Sequence, residues 1–185
     1  MARIRATHAS WLVFLLSAGA ACGFPVAVAS ASSDATLNLT SSSFVANGEI
    51  PARFTCEGAD VSPQLSWNDP PAGARSLALV MNDPDAPSGN FVHWVIFNLP
   101  PSARSLPEGI GQSPEAAGGR QGTNGFGKLG YSGPCPPPGR PHRYFLRLWA
   151  LDSTLTLQQP TAAEIESTVR RHILARGQIM GRFRR

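Results

Sequence analysis

The chain has 185 residues, 42% hydrophobic and 15% charged, so it can bury a core and is not a disordered tail. Its 16 basic and 12 acidic residues give a net charge of +4, too weak for a dedicated nucleic-acid-binding module, and Lys128 is the single lysine. With 18 Gly and 17 Pro the chain is punctuated every few residues, which argues against a helix bundle or coiled coil and for short strands joined by turns.

The N-terminus has the layout of a secretory signal peptide. Arg3 and Arg5 precede a short apolar stretch that runs from Trp11 to Cys22, and Ala27, Ala29 and Ala31 then offer small residues for cleavage after Ala29 or Ala31. A membrane-spanning helix needs about 20 consecutive apolar residues; this run is shorter and ends in Gly23 and Pro25. An uncleaved anchor is the alternative. A lipoprotein reading through Cys22 is weaker, because Gly19 stands where a lipobox prefers an aliphatic residue. The expected organisation is a signal peptide over 1–31 and one domain over 32–185, periplasmic or secreted. Two cysteines then remain, Cys56 and Cys135, in a compartment where a pair tends to be a disulfide. Two buried free thiols are the other reading.

In chain order, Thr36 to Thr40 alternates apolar and polar residues, as a half-buried strand does. Ile50 to Cys56 is a second extended candidate, with Pro51 suggesting an edge or a strand start. Leu65 to Trp67 is a brief third, followed by a turn over Asn68 to Gly73. Ser76 to Asn82 is nearly continuous apolar sequence, the pattern of a strand buried on both faces. Phe91 to Leu99 and Arg143 to Leu151 are the other two long strands. In the last of these Tyr144, Leu146, Leu148 and Ala150 share one face, opposite Phe145, Arg147 and Trp149. Between the two lies Pro100 to His142, rich in Gly and Pro; a structureless loop of that length is unusual unless it builds a site. Near the end, Thr161 and Glu164 form a capping box. Ile165, Val169 and Ile173 then repeat every four residues, and Gly177 supplies a stop, so one amphipathic helix is predicted there. The fold class expected is mostly β with a late helix. Charge is uneven: Arg170 to Arg185 carries 6 basic residues and no acidic one. This suits a solvated helix face and tail, or, as a sharper alternative, a contact with anionic lipid or an acidic partner.

Three places combine polar side chains with constrained backbone. Asp83-Pro84-Asp85-Ala86-Pro87 follows the buried strand directly, and its prolines fix φ and hold two carboxylates at the strand's end. His93 sits on the next strand, where simple alternation places it on the face of Val95 and Phe97. Gly130 to Tyr144 holds three consecutive prolines in a rigid extended loop, whose backbone N–H groups lack ladder partners and are expected to be free for an anion; His142 ends it. A turn, a core histidine and a structural crossover are the bland readings of the three. Taken together, a carboxylate, two imidazoles and an aromatic hydroxyl around a small cavity suit a compact anion, because imidazole can donate hydrogen bonds and a nearby Asp favours its protonated form. Nothing resembles GxxxxGK[ST], HExxH or GxSxG, and no cofactor or metal is expected.

The ordered set DPDAP, a strand histidine and GPxPPxG–HRY resembles the pattern of phosphatidylethanolamine-binding proteins. The chain is similar to their bacterial branch, the Raf-kinase-inhibitor-like proteins, some of them secreted to the periplasm. SPQLSW (Ser62 to Trp67) and the C-terminal HILARGQIMG fit that branch too, so the resemblance runs from about Leu37 to Phe183. It implies a β-sandwich-like fold with a C-terminal helix and a small pocket at one end for phosphate-like or carboxylate anions. Asp83 then matches the pocket aspartate, His93 the strand histidine, Gly133 and Pro134 the GP of the pocket loop, and His142 the histidine before RY. Asp85 and Tyr144 are further candidate ligand-binding residues. Cys56 and Cys135 fall in the TCxG and GPCPP contexts of the bacterial branch, close to the pocket. The ending GRFRR departs from a GTYxR-like one and lacks its tyrosine.

The function expected is therefore that of a binding protein, not an enzyme. Its partner would be a small anionic ligand or a phosphorylated or phospholipid head group, with a protein partner to modulate, no nucleic acid and at most peripheral membrane contact. Members of the family are described as lipid-head-group binders, kinase-cascade modulators, protease inhibitors and developmental signals, so membership does not select among these. Two rival readings are a protease inhibitor presenting an exposed segment, and a metal-assisted hydrolase using Asp83, His93 and His142.

Overall fold

The computed structural model describes residues 35–185; the expected signal peptide lies outside the described residues. The strands are β1 (Ala35–Thr36), β2 (Leu65–Ser66), β3 (Ser76–Asp83), β4 (Phe91–Leu99), β5 (Ser105–Leu106), β6 (Glu115–Ala116), β7 (Gly119–Gln121), β8 (His142–Leu151) and β9 (Ile173–Phe183). One helix, α1 (Ala162–Val169), lies between β8 and β9. Seven strands form one sheet in the order β1-β9-β8-β3-β4-β7-β6, and β2 and β5 pair separately. All pairs are antiparallel except β1 with β9. No helix among the described residues is long and apolar enough to cross a membrane.

The sheet divides two layers of core. On one side Leu77, Leu79, Met81, Trp94, Ile96, Leu146 and Leu148 pack against the N-terminal segments that carry Leu37, Phe44, Ile50 and Phe54. On the other, Ala78, Val80, Val95, Phe97 and Trp149 meet Ile165 and Val169 of α1. β3 contributes to both layers and is buried at every position, as its unbroken apolar run predicts. The alternation expected along β8 also holds, with Tyr144, Leu146, Leu148 and Ala150 in one cluster and Trp149 in the other.

Several expected elements differ. Ile50 to Cys56 is not a strand: Ala52–Phe54 forms a 3-10 turn, with the Thr55 hydroxyl closing back on the Ala52 carbonyl at 2.9 Å. The strand expected over Thr36 to Thr40 shrinks to two residues plus a single bridge from Thr40 to Ser66. The Pro100–His142 stretch holds three short strands, β5, β6 and β7, so it is not structureless. The capping box forms as expected, the Glu164 carboxylate accepting from Thr161 N at 2.8 Å. The helix, however, ends at Val169, and Ile173 opens β9, the longest strand. Gly177 is no helix stop. It sits within β9, where a Cβ would lie 2.2 Å from the Leu37 carbonyl oxygen, so glycine there lets another backbone approach closely.

Cys56 and Cys135 are joined in the structure, 79 positions apart with Cα atoms 5.4 Å from each other. Around this link the 3-10 turn and the proline loop are tied twice more. Cys56 N donates to the Pro134 carbonyl at 3.1 Å, and the Tyr131 hydroxyl donates to the Phe54 carbonyl at 2.6 Å.

Candidate functional site

The ends of β3, β4 and β8 meet at one corner of the sheet, and each delivers a buried polar side chain there: Asp83 is 2% exposed, His93 3% and His142 4%. Removing such groups from water is costly unless they are hydrogen-bonded. Asp83 and His142 satisfy one another, His142 Nδ1 lying 2.7 Å from Asp83 Oδ2. Asp83 Oδ1 accepts from Asp85 N at 2.8 Å, a link within the proline-bounded turn that fixes the carboxylate's orientation. Both oxygens of Asp83 are therefore engaged, and His142 keeps Nε2 as its remaining polar atom.

His93 reaches this corner by a departure from strand alternation. Met81 pairs with Trp94 but Asn82 with Val92, so β4 carries one extra residue, a bulge, at this point. Val92 consequently packs with the Val95 and Phe97 layer. His93 leaves that face and instead lies edge-on to Tyr144, ring centroids 5.2 Å apart. This corrects the expectation that His93 shares the face of Val95 and Phe97. Its Nδ1 is 2.8 Å from the Ser132 carbonyl and 3.1 Å from that of Gly133. Carbonyls only accept, so Nδ1 carries the proton, and in the neutral ring Nε2 holds a lone pair. Burial pushes the imidazole pKa below its ordinary value, against the opposing pull of those carbonyls and of the Asp83 charge.

A cavity of about 190 Å³ opens at this corner, lined by Asp83, His93 and His142 together with Pro87, Phe91 and Phe126. Cys135, Pro136 and Pro137 complete the wall from the proline loop. Phe126 is 46% exposed and stands edge-on to Phe91 at 4.7 Å, giving the mouth an apolar rim. A broader depression of about 570 Å³ lies along β1 and β9, but its lining includes no histidine, cysteine or carboxylate. Proton-exchanging chemistry near neutral pH belongs to the smaller cavity.

The remaining sequence candidates sit around the cavity, not on its wall. Asp85 turns outward, its carboxylate accepting from Arg143 N at 3.0 Å, Nε at 2.8 Å and Nη2 at 2.8 Å; these bonds hold its carboxyl well below the usual range. Gly133 N does not face an anion: it donates to Asp60 Oδ1 at 2.6 Å, and Ser132 N donates to the His93 carbonyl. The N–H groups expected to be free in this part of the loop are thus used in folding it. A Cβ at Gly133 would stand 2.3 Å from the Phe54 carbonyl, which makes its role one of close packing. Pro134 has no N–H and lends its carbonyl to Cys56. Tyr144 is fully buried, and its hydroxyl is the one buried side-chain polar atom among the described residues without a hydrogen-bond partner. Burial first, then the nearby Asp83 charge, pushes its pKa up, so it remains a donor. Sequence reading missed Phe91 and Phe126; the isolated aromatic in Gly125-Phe126-Gly127 was the available signal.

Among the described residues no group of three or more His, Cys, Asp or Glu is arranged to hold a metal ion.

The sequence model of the family described as phosphatidylethanolamine-binding protein matches residues 40–184. A UPF0098 protein of Methanothermobacter thermautotrophicus is 46% identical over 153 residues, covering 80% of this chain and 99% of the relative. A second, from Aquifex aeolicus, is 43% identical over 155 residues, covering 82% and 90%. Among solved structures, a putative phosphatidylethanolamine-binding protein homologue of Chlamydia trachomatis superposes with a TM-score of 0.74 at 35% identity, covering 81% of this chain and 98% of the other. Escherichia coli YbcL, described as a new member of the mammalian PEBP family, gives 0.76 at 28% identity, covering 82% and 99%. With the mostly β architecture and the ordered motifs, these matches lead to one conclusion: the chain belongs to the phosphatidylethanolamine-binding protein family.

Proposed function

We propose that the protein is a binding protein that holds a small oxyanion, phosphate-like or carboxylate, between the Nε2 atoms of His93 and His142. The observation that carries this reading is a pair of buried imidazoles, each with Nδ1 already engaged, on the wall of one small cavity. The Asp83 carboxylate fixes the His142 ring through Nδ1, which leaves Nε2 as the polar atom presented to the cavity. A hydrogen bond to a charged group contributes about 1.5–3 kcal/mol, so two of them hold a head group with modest affinity. The apolar rim of Phe91 and Phe126 supports a ligand whose anionic end is buried and whose remainder is carbon-rich.

His93 is neutral in the free protein near pH 7 because burial lowers its pKa. A bound anion beside Nε2 raises that pKa, so the complex carries a proton that the free protein lacks. Whether the proton arrives on the ring or on the ligand, the thermodynamic consequence is the same. Affinity is full below the pKa of His93 in the free protein and is lost as pH rises from there through its higher pKa in the complex. Calorimetry with a phosphate monoester between pH 5.5 and 8 in buffers of different ionisation heat checks this. Proton uptake and an affinity loss approaching tenfold per pH unit are expected, and a profile without either removes His93 from the site.

The export reading is part of the same proposal. Arg3, Arg5, the apolar stretch and the alanines at 27, 29 and 31 support removal of residues 1–31, and an oxidising compartment suits the Cys56–Cys135 link. Modulation of a protein partner is carried from the family resemblance alone.

A further inference from the structure

We infer that the protein carries a second anion subsite on the outer face of β8 and β9, in which Arg140, Arg143 and Arg182 hold a phosphate monoester. A depression of about 310 Å³ is lined there by Asp85, Arg140, Pro141, Arg143 and Arg182, three guanidinium groups against one carboxylate. It is separate from the histidine cavity. Along β8 the buried His142 and Tyr144 point inward, and the exposed Arg143 between them points outward. The inference does not rest on what the histidines bind.

Three features distinguish this depression from ordinary solvated charge. First, Arg143 and Arg182 are direct cross-strand partners in the β8–β9 register. Like charges directly opposite are destabilising, and the one carboxylate lining the depression is spent on one of them, since Asp85 grips Arg143 through Nε and Nη2. Second, Arg140 and Arg182 have no ion pair among the described residues, so neither charge lining the depression is neutralised within the fold. Third, one of the cations is held in place and a second has a restricted backbone. The Asp85 fork fixes the Arg143 guanidinium, which also lies 5.8 Å from the Phe145 ring centroid, and Pro141 restricts Arg140 to extended backbone.

The chemistry selects the ligand. Guanidinium forks match the spread oxygens of phosphate and can bond it bidentately. A phosphate monoester carries a charge of about −1.5 to −2 at pH 7, which neutralises the surplus of two cations over Asp85. The acids that face the subsite are Asp85 itself, Asp83 behind the turn, whose charge reaches Arg143, and Glu49, whose backbone bridges Arg182. Arginine stays charged throughout the accessible pH range, and Asp85 is held ionised by Arg143. Titration of the subsite is therefore that of the ligand: binding strengthens as the phosphate loses its second proton near pH 6. This is opposite in sign to binding at the histidine cavity.

The test uses a variant with Arg140→Gln and Arg182→Gln, which leaves the Arg143–Asp85 pair intact. Binding of glycerol 3-phosphate is measured by calorimetry, and binding to phosphatidylcholine vesicles with and without phosphatidic acid by sedimentation, both from pH 5.5 to 7.5. Wild type is expected to show two binding events, of which the one at the arginines, the event removed in the double variant, tightens toward pH 7.5 and weakens steeply at high salt. The double variant should lose roughly tenfold or more in affinity at the arginines with a melting temperature equal to or slightly above that of wild type. Loss in the soluble arm identifies a free phosphate ester, and loss in the vesicle arm alone a membrane-borne one. Binding in both arms that is indifferent to the two substitutions overturns the subsite. So does phosphate binding that only weakens with rising pH and vanishes only on replacement of His93 or His142.

Discussion

Replacing Cys56 and Cys135 with serine together is expected to lower stability by about 4.5 kcal/mol. That figure is the chain-entropy value for closing a loop of 79 positions. For a domain of this size it corresponds to a drop in melting temperature of roughly 10–15 °C. The effect should not stop at stability. Cys135 lines the cavity, and its neighbours Pro136 and Pro137 form the same wall. The proline loop is held to the 3-10 turn by this link and by hydrogen bonds from Cys56 N and the Tyr131 hydroxyl. Without the covalent tie the loop is held at the 3-10 turn by hydrogen bonds alone, each contributing about 1 kcal/mol, so ligand affinity should fall along with the melting temperature. Thermal melting of wild type with and without reductant, beside the double variant, checks this. Reductant should bring wild type down to the variant's temperature and leave the variant unmoved. Equal melting temperatures in all four samples would mean that the link contributes nothing.

Asp83→Ala is expected to cost about 3 kcal/mol and to abolish binding in the histidine cavity. Removing one partner of a buried pair leaves the other without compensation, and here both His142 Nδ1 and Asp85 N lose their acceptor. Asp83→Asn separates the two consequences. An amide keeps the shape but offers one acceptor oxygen where the carboxylate offers two. Either Asp85 N or His142 Nδ1 must then face an NH₂ group, and the carboxylate charge beside the His142 ring is gone. Stability should fall by only about 1–2 kcal/mol, while affinity for a phosphate monoester should fall at least tenfold. Urea unfolding and calorimetry on the two variants measure these losses. Wild-type affinity in Asp83→Asn would show that the carboxylate does not prepare His142 for an anion.

The strands that build this corner were legible because each reports its surroundings through its own residues. β3 is apolar throughout, and burial on both faces follows; β8 alternates, and its faces follow. β9 was illegible for a physical reason. Its buried face runs Ala175, Gly177, Ile179, Gly181, Phe183, and two of those five positions are glycines made necessary by the backbone at Leu37 and the side chain at Ile50. Without apolar side chains at those positions the period of two disappears, and Ile165, Val169 and Ile173 suggest a longer helix instead. The site divides in the same way. Asp83, His93 and His142 could be read because few other roles bring such residues together between prolines and apolar strands. The bulge that swings His93 across the sheet, the outward turn of Asp85 and the capture of Gly133 N by Asp60 depend on partners more than thirty positions away for the last two, and on the register of β3 for the first. No local pattern encodes them.

The most direct test of the central claim is a crystal structure of residues 32–185 soaked with a phosphate monoester near pH 6. A phosphate group between β4 and β8, with oxygens in hydrogen-bonding range of Nε2 of both His93 and His142, is the expected result. A cavity without the ligand, while the same crystals bind it elsewhere or not at all, would contradict the account.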